Sequence, residues 1–354
     1  MFRQIFSACL LSCALIVSSA DAGDQSRIGT AAAQELRIPA GSPGTALGGA
    51  ILASVSGAEA MHWNPSGVVF GGTKREAVFS YLDYMADMSM NYFAVTTKLR
   101  DDIAVGVSAK VFSVGDIVVT TETSPEGTGE VLNPTFSCVS FTYSQMLTDR
   151  VAFGTTFKFI HEGIKRETAS GMAFDFGFQY KTALEGLTFA IAMRNFGPDL
   201  RFDGPDLDRT VSLSDAIPNA DPQATSRIFR TSLASAELPT SVEIGIAYDF
   251  LATDLGKATF SATFRNNNLA TDEYQAGIEY DVRHMLQLRG GYAVSPTGEA
   301  LPNGFNKEYI LGPSFGFGLN VPMGNKDKSF RVDYAYGKTE FFQDNHWLTV
   351  GLGF

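Results

Sequence analysis

The sequence predicts an all-β fold: a 14-stranded antiparallel transmembrane β-barrel with a short N-terminal segment plugging its interior. Three observations carry this. From Arg75 to Phe354, apolar residues alternate with small or polar ones at a period of two, which is the strand signature. Short and long connections alternate along the same stretch, as the two ends of an outer-membrane barrel require. Composition agrees: the 354 residues include 35 Gly and 28 Phe but are only 18% charged, and no apolar run past the N-terminus is long enough for a transmembrane helix.

In chain order, residues 1–22 read as a secretory signal peptide. Arg3 gives the positive start, Ile5 to Val17 is apolar, and Ala20 and Ala22 form a small-residue cleavage pattern before Gly23. Leu10-Leu11-Ser12-Cys13 superficially matches a lipidation box, but apolar residues run on past that cysteine. Cleavage would leave Cys138 alone, without a disulfide partner, and the four histidines lie far apart. Neither zinc nor thiolate chemistry is expected, no cofactor is called for, and no catalytic constellation is visible. A net charge of −11 argues against nucleic acid, whose phosphates would be repelled.

Residues 75–354 form the expected barrel domain. Its first seven strands read as Arg75–Tyr84, Met88–Leu99, Ile103–Ser113, Pro134–Gln145, Arg150–His161, Ser170–Thr182 and Gly186–Phe196. The other seven read as Pro239–Phe250, Lys257–Asn266, Asp272–Val282, Met285–Ser295, Tyr309–Pro322, Ser329–Lys338 and Asn345–Phe354. The clearest runs from Met172 to Tyr180, with Met, Phe, Phe, Phe and Tyr on one face and Ala, Asp, Gly and Gln on the other. That alternation suits lipid outside and a polar lumen inside. Short turns such as 100–102, 147–149 and 251–256 follow even-numbered strands, whereas Val114–Asn133, Gly197–Leu238 and Pro296–Glu308 follow odd-numbered ones. An even strand count puts both barrel ends on the periplasmic side. The last strand aligns Leu348, Val350, Leu352 and Phe354 on one face, and Phe354 reads as an assembly signal for the outer-membrane machinery.

Glycines recur on the inward face at 106, 154, 177, 245, 277, 291, 318 and 351. They either relax the curved sheet or leave room for an object inside. Fourteen strands make a lumen too wide for wall side chains to fill. Inward charges are of both signs, with Lys98, Lys110, Lys158, Arg194, Arg265, Arg289 and Arg331 against Asp175, Glu243, Asp249, Glu279, Asp281 and Asp333. Mixed signs on neighbouring strands suit cross-bracing ladders better than an ion path. No inward aromatic cluster is evident.

Residues 23–74 break the alternation. They are rich in Gly and Ala, nearly uncharged from Gly41 on, and Asn64-Pro65 should end a short helical turn. Such a segment suits packing in the barrel mouth as a hatch, the alternative being a tail outside it. The run Gly44-x-Ala46-Leu47-Gly48-Gly49-Ala50, followed by Trp63-Asn64-Pro65-x-Gly67, resembles the N-terminal signature of the PorV/PorQ family, relatives of FadL-type fatty-acid transporters. The likeness continues through Leu147-Thr148-Asp149-Arg150, Lys158 to Glu162, Asp175-Phe176-Gly177 and Asn195-Phe196-Gly197, with Ser66 standing where the family usually has Ala.

The resemblance implies a FadL-like barrel whose hatch is built on Gly48, Gly49, Trp63, Asn64, Pro65 and Gly67. It also implies a non-catalytic role in type IX-like secretion, binding exported cargo proteins or a secretion translocon through the outer loops. The alternative it implies is a channel for hydrophobic small molecules. The expected setting is the outer membrane of a Gram-negative-type bacterium, among outer-membrane lipid and lipopolysaccharide. In the first long loop Asp116, Glu122, Glu126 and Glu130 stand without Lys or Arg, which suits solubility, divalent cations near lipopolysaccharide, or a partner protein.

Overall fold

A computed structural model describes residues 27–212, 226–253, 255–295, 311–323, 328–340 and 342–354. The signal peptide, the loop 296–308 and the start of the Tyr309 strand lie outside the described residues. Fourteen antiparallel strands close into one barrel. They are β1 Arg75–Tyr84, β2 Met88–Arg100, β3 Ile103–Ser113, β4 Thr135–Met146, β5 Val151–Ile164, β6 Glu167–Lys181 and β7 Leu187–Phe196, then β8 Ser241–Thr253, β9 Gly256–Asn267, β10 Glu273–Val282, β11 Leu286–Val294, β12 Leu311–Pro322, β13 Ser329–Thr339 and β14 Asn345–Gly353. Each pairs with its neighbours in sequence, and β1 closes on β14 from Glu76 opposite Gly353 to Asp83 opposite His346.

Closure leaves no sheet edge to lipid, which is the condition for crossing a bilayer with strands. The outward face is a band of exposed apolar side chains, including Phe93, Phe141, Phe159, Phe178, Ile278, Phe317 and Leu348. Aromatic pairs bridge adjacent strands on this face, among them Phe153–Phe178 with ring centroids 4.9 Å apart and Phe264–Tyr274 at 5.0 Å. Such cross-strand pairs fix register as well as greasing the wall.

Two local departures from the expected strands have physical causes. A bulge at Phe250 lets β8 run on to Thr253, and β9 begins at Gly256, so the strands extend into the turn expected at 251–256. An extra residue in β7 places Asn195 in the left-handed region, at φ 57°. Its N–H donates to Asp175 Oδ1 at 2.8 Å, and its Oδ1 accepts from Lys158 Nζ at 2.7 Å. Lys158 also pairs with Asp175 at 2.6 Å, so three motifs scattered along the sequence meet in one polar knot. The long loops carry structure that alternation does not announce. Ile117–Val118 pairs with Val131–Leu132, and Asp208–Ser212 pairs with Ser226–Arg230, each as a two-stranded ribbon.

Candidate functional site

Residues 27–71 run through the lumen from the end that carries the long loops to the end that carries the short turns. At the loop end, the Gly29 N–H donates to the Leu269 carbonyl, the Ala32 N–H to the Glu237 carbonyl, and the Trp347 Nε1–H to the Pro39 carbonyl. At the turn end, the Ala58 N–H donates to Glu76 Oε2, and Lys181 lies 4.2 Å from the centre of the Phe70 ring. Between them the chain makes only short turns of helix, at Gln34–Arg37, Ser42–Ala46, Gly57–Glu59, Ala60–Trp63 and Pro65–Phe70. The barrel therefore begins and ends at the turn end, but the first described residue, Arg27, sits at the opposite mouth.

Of the six residues singled out in this segment, Gly48 and Gly49 press on one part of the wall, Asn64 and Pro65 on another, and Trp63 and Gly67 on the segment itself. Gly48 and Gly49 have φ of 65° and 88°, and a Cβ on them would meet Tyr292 N and Gln275 Oε1, each at 2.7 Å, on β11 and β10. Glycine satisfies both the left-handed backbone and the close approach. Asn64 is fully buried: its Nδ2 donates to the Leu52 carbonyl at 2.9 Å, and its Oδ1 accepts from the Ser66 N–H at 3.2 Å and the Ser66 hydroxyl at 2.7 Å. Pro65 opens the turn that follows, where its missing N–H costs nothing. The Trp63 Nε1–H donates to the Ala40 carbonyl at 3.0 Å, and the indole lies against Gly44. Gly67 touches the Val55 carbonyl and Ala60 Cβ, so it lets the segment fold on itself rather than on the wall.

The inward wall glycines are the other half of this fit. Gly154 and Gly177 face Pro65 and Asn64, Gly245 faces Leu52, Gly277 and Gly291 face Leu47, and Gly106 faces Met61. Gly318 and Gly351 instead give room to Asp333 and Arg331. Lumen and segment share one apolar core that includes Met61, Trp63, Val68, Leu82, Met90 and Trp347.

The mixed inward charges form ladders along the wall. Arg265 bridges Glu243 at 2.9 Å and Glu273 at 3.0 Å, Arg194 reaches Glu243 at 3.2 Å, and Arg289 joins Glu279 at 2.6 Å to Asp333 at 2.7 Å. The ladders reach inward to the segment, because Arg331 pairs with Glu59 as well as Asp333, and Arg37 pairs with Glu273 at 3.1 Å. Phe354 is exposed on the outer face, and its N–H and carbonyl both bond Arg75 at 2.9 Å.

Above the segment, toward the loops, lies a cavity of about 1150 Å³. Trp63, Trp347, Tyr84, Phe112 and Phe136 line one side of it. Phe112 stacks on Phe136 at 6.2 Å and meets Tyr84 edge-on at 6.3 Å. The expectation of no inward aromatic cluster is thus corrected. Tyr84, Phe112 and Phe136 come from three different strands, one each, and face each other only when the loop ends of β1, β3 and β4 are brought together. Parity with inward Ser80, Lys110 and Cys138 was the available signal.

Solved structures similar to this chain include a hydrocarbon channel, a toluene transporter and a FadL homologue. The CymD monoaromatic hydrocarbon channel has a TM-score of 0.55 at 13% identity, over 88% of this chain and 96% of that one. The Pseudomonas putida toluene transporter TodX has a TM-score of 0.55 at 13% identity, over 87% and 96%. A Pseudomonas aeruginosa FadL homologue has a TM-score of 0.52 at 12% identity, over 89% and 98%. At these identities the likeness establishes the FadL-like barrel and nothing of what passes through it. No curated protein matches the sequence. The lumen segment and the first barrel strands carry the more specific likeness: residues 21–177 match the family model described as type IX secretion system protein PorV, and over that stretch the chain is similar to PorV.

Proposed function

We propose that the chain is a non-catalytic accessory of type IX-like protein secretion, binding exported cargo or a translocon at the outer surface, with residues 23–74 serving as a hatch. The match of residues 21–177 to the PorV family model carries this reading. The loop ribbons support it by offering a broad outer surface, on which Ile228 and Phe229 are exposed and to which the loop Val114–Asn133 adds Asp116, Glu122, Glu126 and Glu130. In this reading the mature chain starts near Gly23, sits in the outer membrane of a Gram-negative-type bacterium and contacts lipopolysaccharide.

Affinity purification in native detergent tests the proposal. Secreted proteins or translocon components should accompany the barrel, and its deletion should change the set of secreted proteins. Recovery of lipid alone, with secretion unchanged, would overturn it. That outcome would favour a channel for hydrophobic small molecules, a second reading supported by the aromatic-walled cavity above the segment.

A further inference from the structure

Beside the aromatic wall, where Glu162 is the cross-strand neighbour of Phe136, stand two carboxyl groups that the secretion reading does not use. Glu35 comes from the lumen segment and Glu162 from the loop end of β5, 127 residues apart in sequence, and both line the cavity. Each is 5% exposed, and the two carboxyls lie within hydrogen-bonding reach of each other, with no other donor on Glu35 Oε1 or Glu162 Oε2. The other oxygen of Glu162 accepts the Ala33 N–H at 3.2 Å. Buried polar atoms left without a donor are uncommon and costly.

The cations nearby do not settle these oxygens. Arg37 and Arg265 also line the cavity, but their side chains pair with Glu273 and, for Arg265, Glu243 as well. Lys110 lies close to Glu35, yet its ammonium donates to the Ile38 carbonyl at 2.6 Å. Lys338 is exposed at the rim. Two carboxyls therefore face one ammonium, on residues that line a mostly apolar cavity.

We propose that this cavity holds an amphiphile with an ammonium head, the Glu35–Glu162 pair taking the cation and the Trp63, Trp347, Phe112 and Phe136 side chains taking the apolar body. A proton shared by the pair can fill the same role, which fits the Glu35 carboxyl being pushed up to about 7 by burial and by the charge of Glu162. An anionic head would add a third negative group to the pair and is disfavoured. The inference goes beyond the secretion proposal and stands independently of it.

The chain contains two tryptophans, Trp63 and Trp347, and both line the cavity, so intrinsic fluorescence reports directly on its contents. Protein in phosphatidylcholine vesicles at pH 8 would be titrated with dodecylamine, dodecanol and dodecanoate, which share a tail and differ in head. Dodecylamine should act at concentrations about tenfold lower than the other two, the scale of one charge-assisted hydrogen bond. Glu35→Gln with Glu162→Gln should abolish that preference and leave the dodecanol response intact. Glu162→Gln alone should weaken it if the double variant fails to fold. Dodecanoate binding as tightly as the amine, no fluorescence response to any of the three, or an amine preference unchanged by the substitutions would overturn the proposal.

Discussion

Gly177 faces the Asn64 carboxamide so closely that a Cβ would overlap Asn64 Oδ1. Gly177→Glu should therefore unseat the Asn64 turn at a cost of about 1–3 kcal/mol or more, the range of overpacking, while the strand ladder of β5–β6 stays intact. Planar-bilayer recordings should show higher small-ion conductance than the parent, and an unchanged value would separate Asn64 from closure. Glu35 offers a second test at the same scale. Its carboxyl is raised from 4.5 to about 7, so the folded state holds that proton more tightly than the unfolded chain. The resulting stabilisation is complete below about pH 4.5 and lost as pH rises through about 7. Glu162 on β5 and Lys110 on β3 face it, and Arg37 lies on its own turn. Hydrogen exchange over Ala33–Ile38, corrected for intrinsic rates, should be more protected at pH 5 than at pH 8. Glu35→Gln should remove the difference, and equal protection in the parent would refute the titration.

The lumen segment has little regular structure of its own, so its position depends on the wall. Its Asn64-Pro65 turn fixes one side and the Glu59–Arg331 pair the other. Asn64→Ala with Pro65→Ala should loosen the segment and raise conductance with the barrel still folded, whereas unchanged conductance would argue against a hatch. The last strand, β14, behaves differently. Phe354 adds two backbone hydrogen bonds to Arg75 and an exposed ring, so deleting it takes little from the finished wall. We expect the truncated protein to reach the outer membrane in lower amounts yet to keep nearly the parent's stability once extracted. Normal surface levels would show that the terminal aromatic is not read during assembly.

At the scale of the molecule, one closed hydrogen-bonded ladder has no edge from which detergent can peel strands. Unboiled protein should migrate differently from boiled protein on a denaturing gel, and identical migration of the folded protein would contradict closure. This architecture was legible because each strand meets lipid on one side and the lumen on the other, which writes the period of two into runs such as Met172–Tyr180. What sits inside was less legible. Phe112 meets Phe136 through the register of β3 with β4, and Glu35 reaches Glu162 through the path of the lumen segment; alternation along one strand carries no trace of either. The loop ribbons escaped for a related reason: Ile117–Val118 and its partner are too short to show a period.

The route of residues 27–71 has a topological consequence for biogenesis. The ring closed by β1 and β14 encircles the leader that precedes it, and that leader's tip rests at the far mouth, beside Glu237 and Leu269. Either the strands wrap around a leader already in place, or the tip is fed upward through a finished ring. A small epitope ahead of Arg27 becomes reachable from outside the cell by either route. A folded domain at that position could emerge there only by wrapping, because it is too bulky to pass a lumen lined this closely. Comparing surface labelling of the two fusions would therefore reveal whether the barrel is built around its leader or threaded by it.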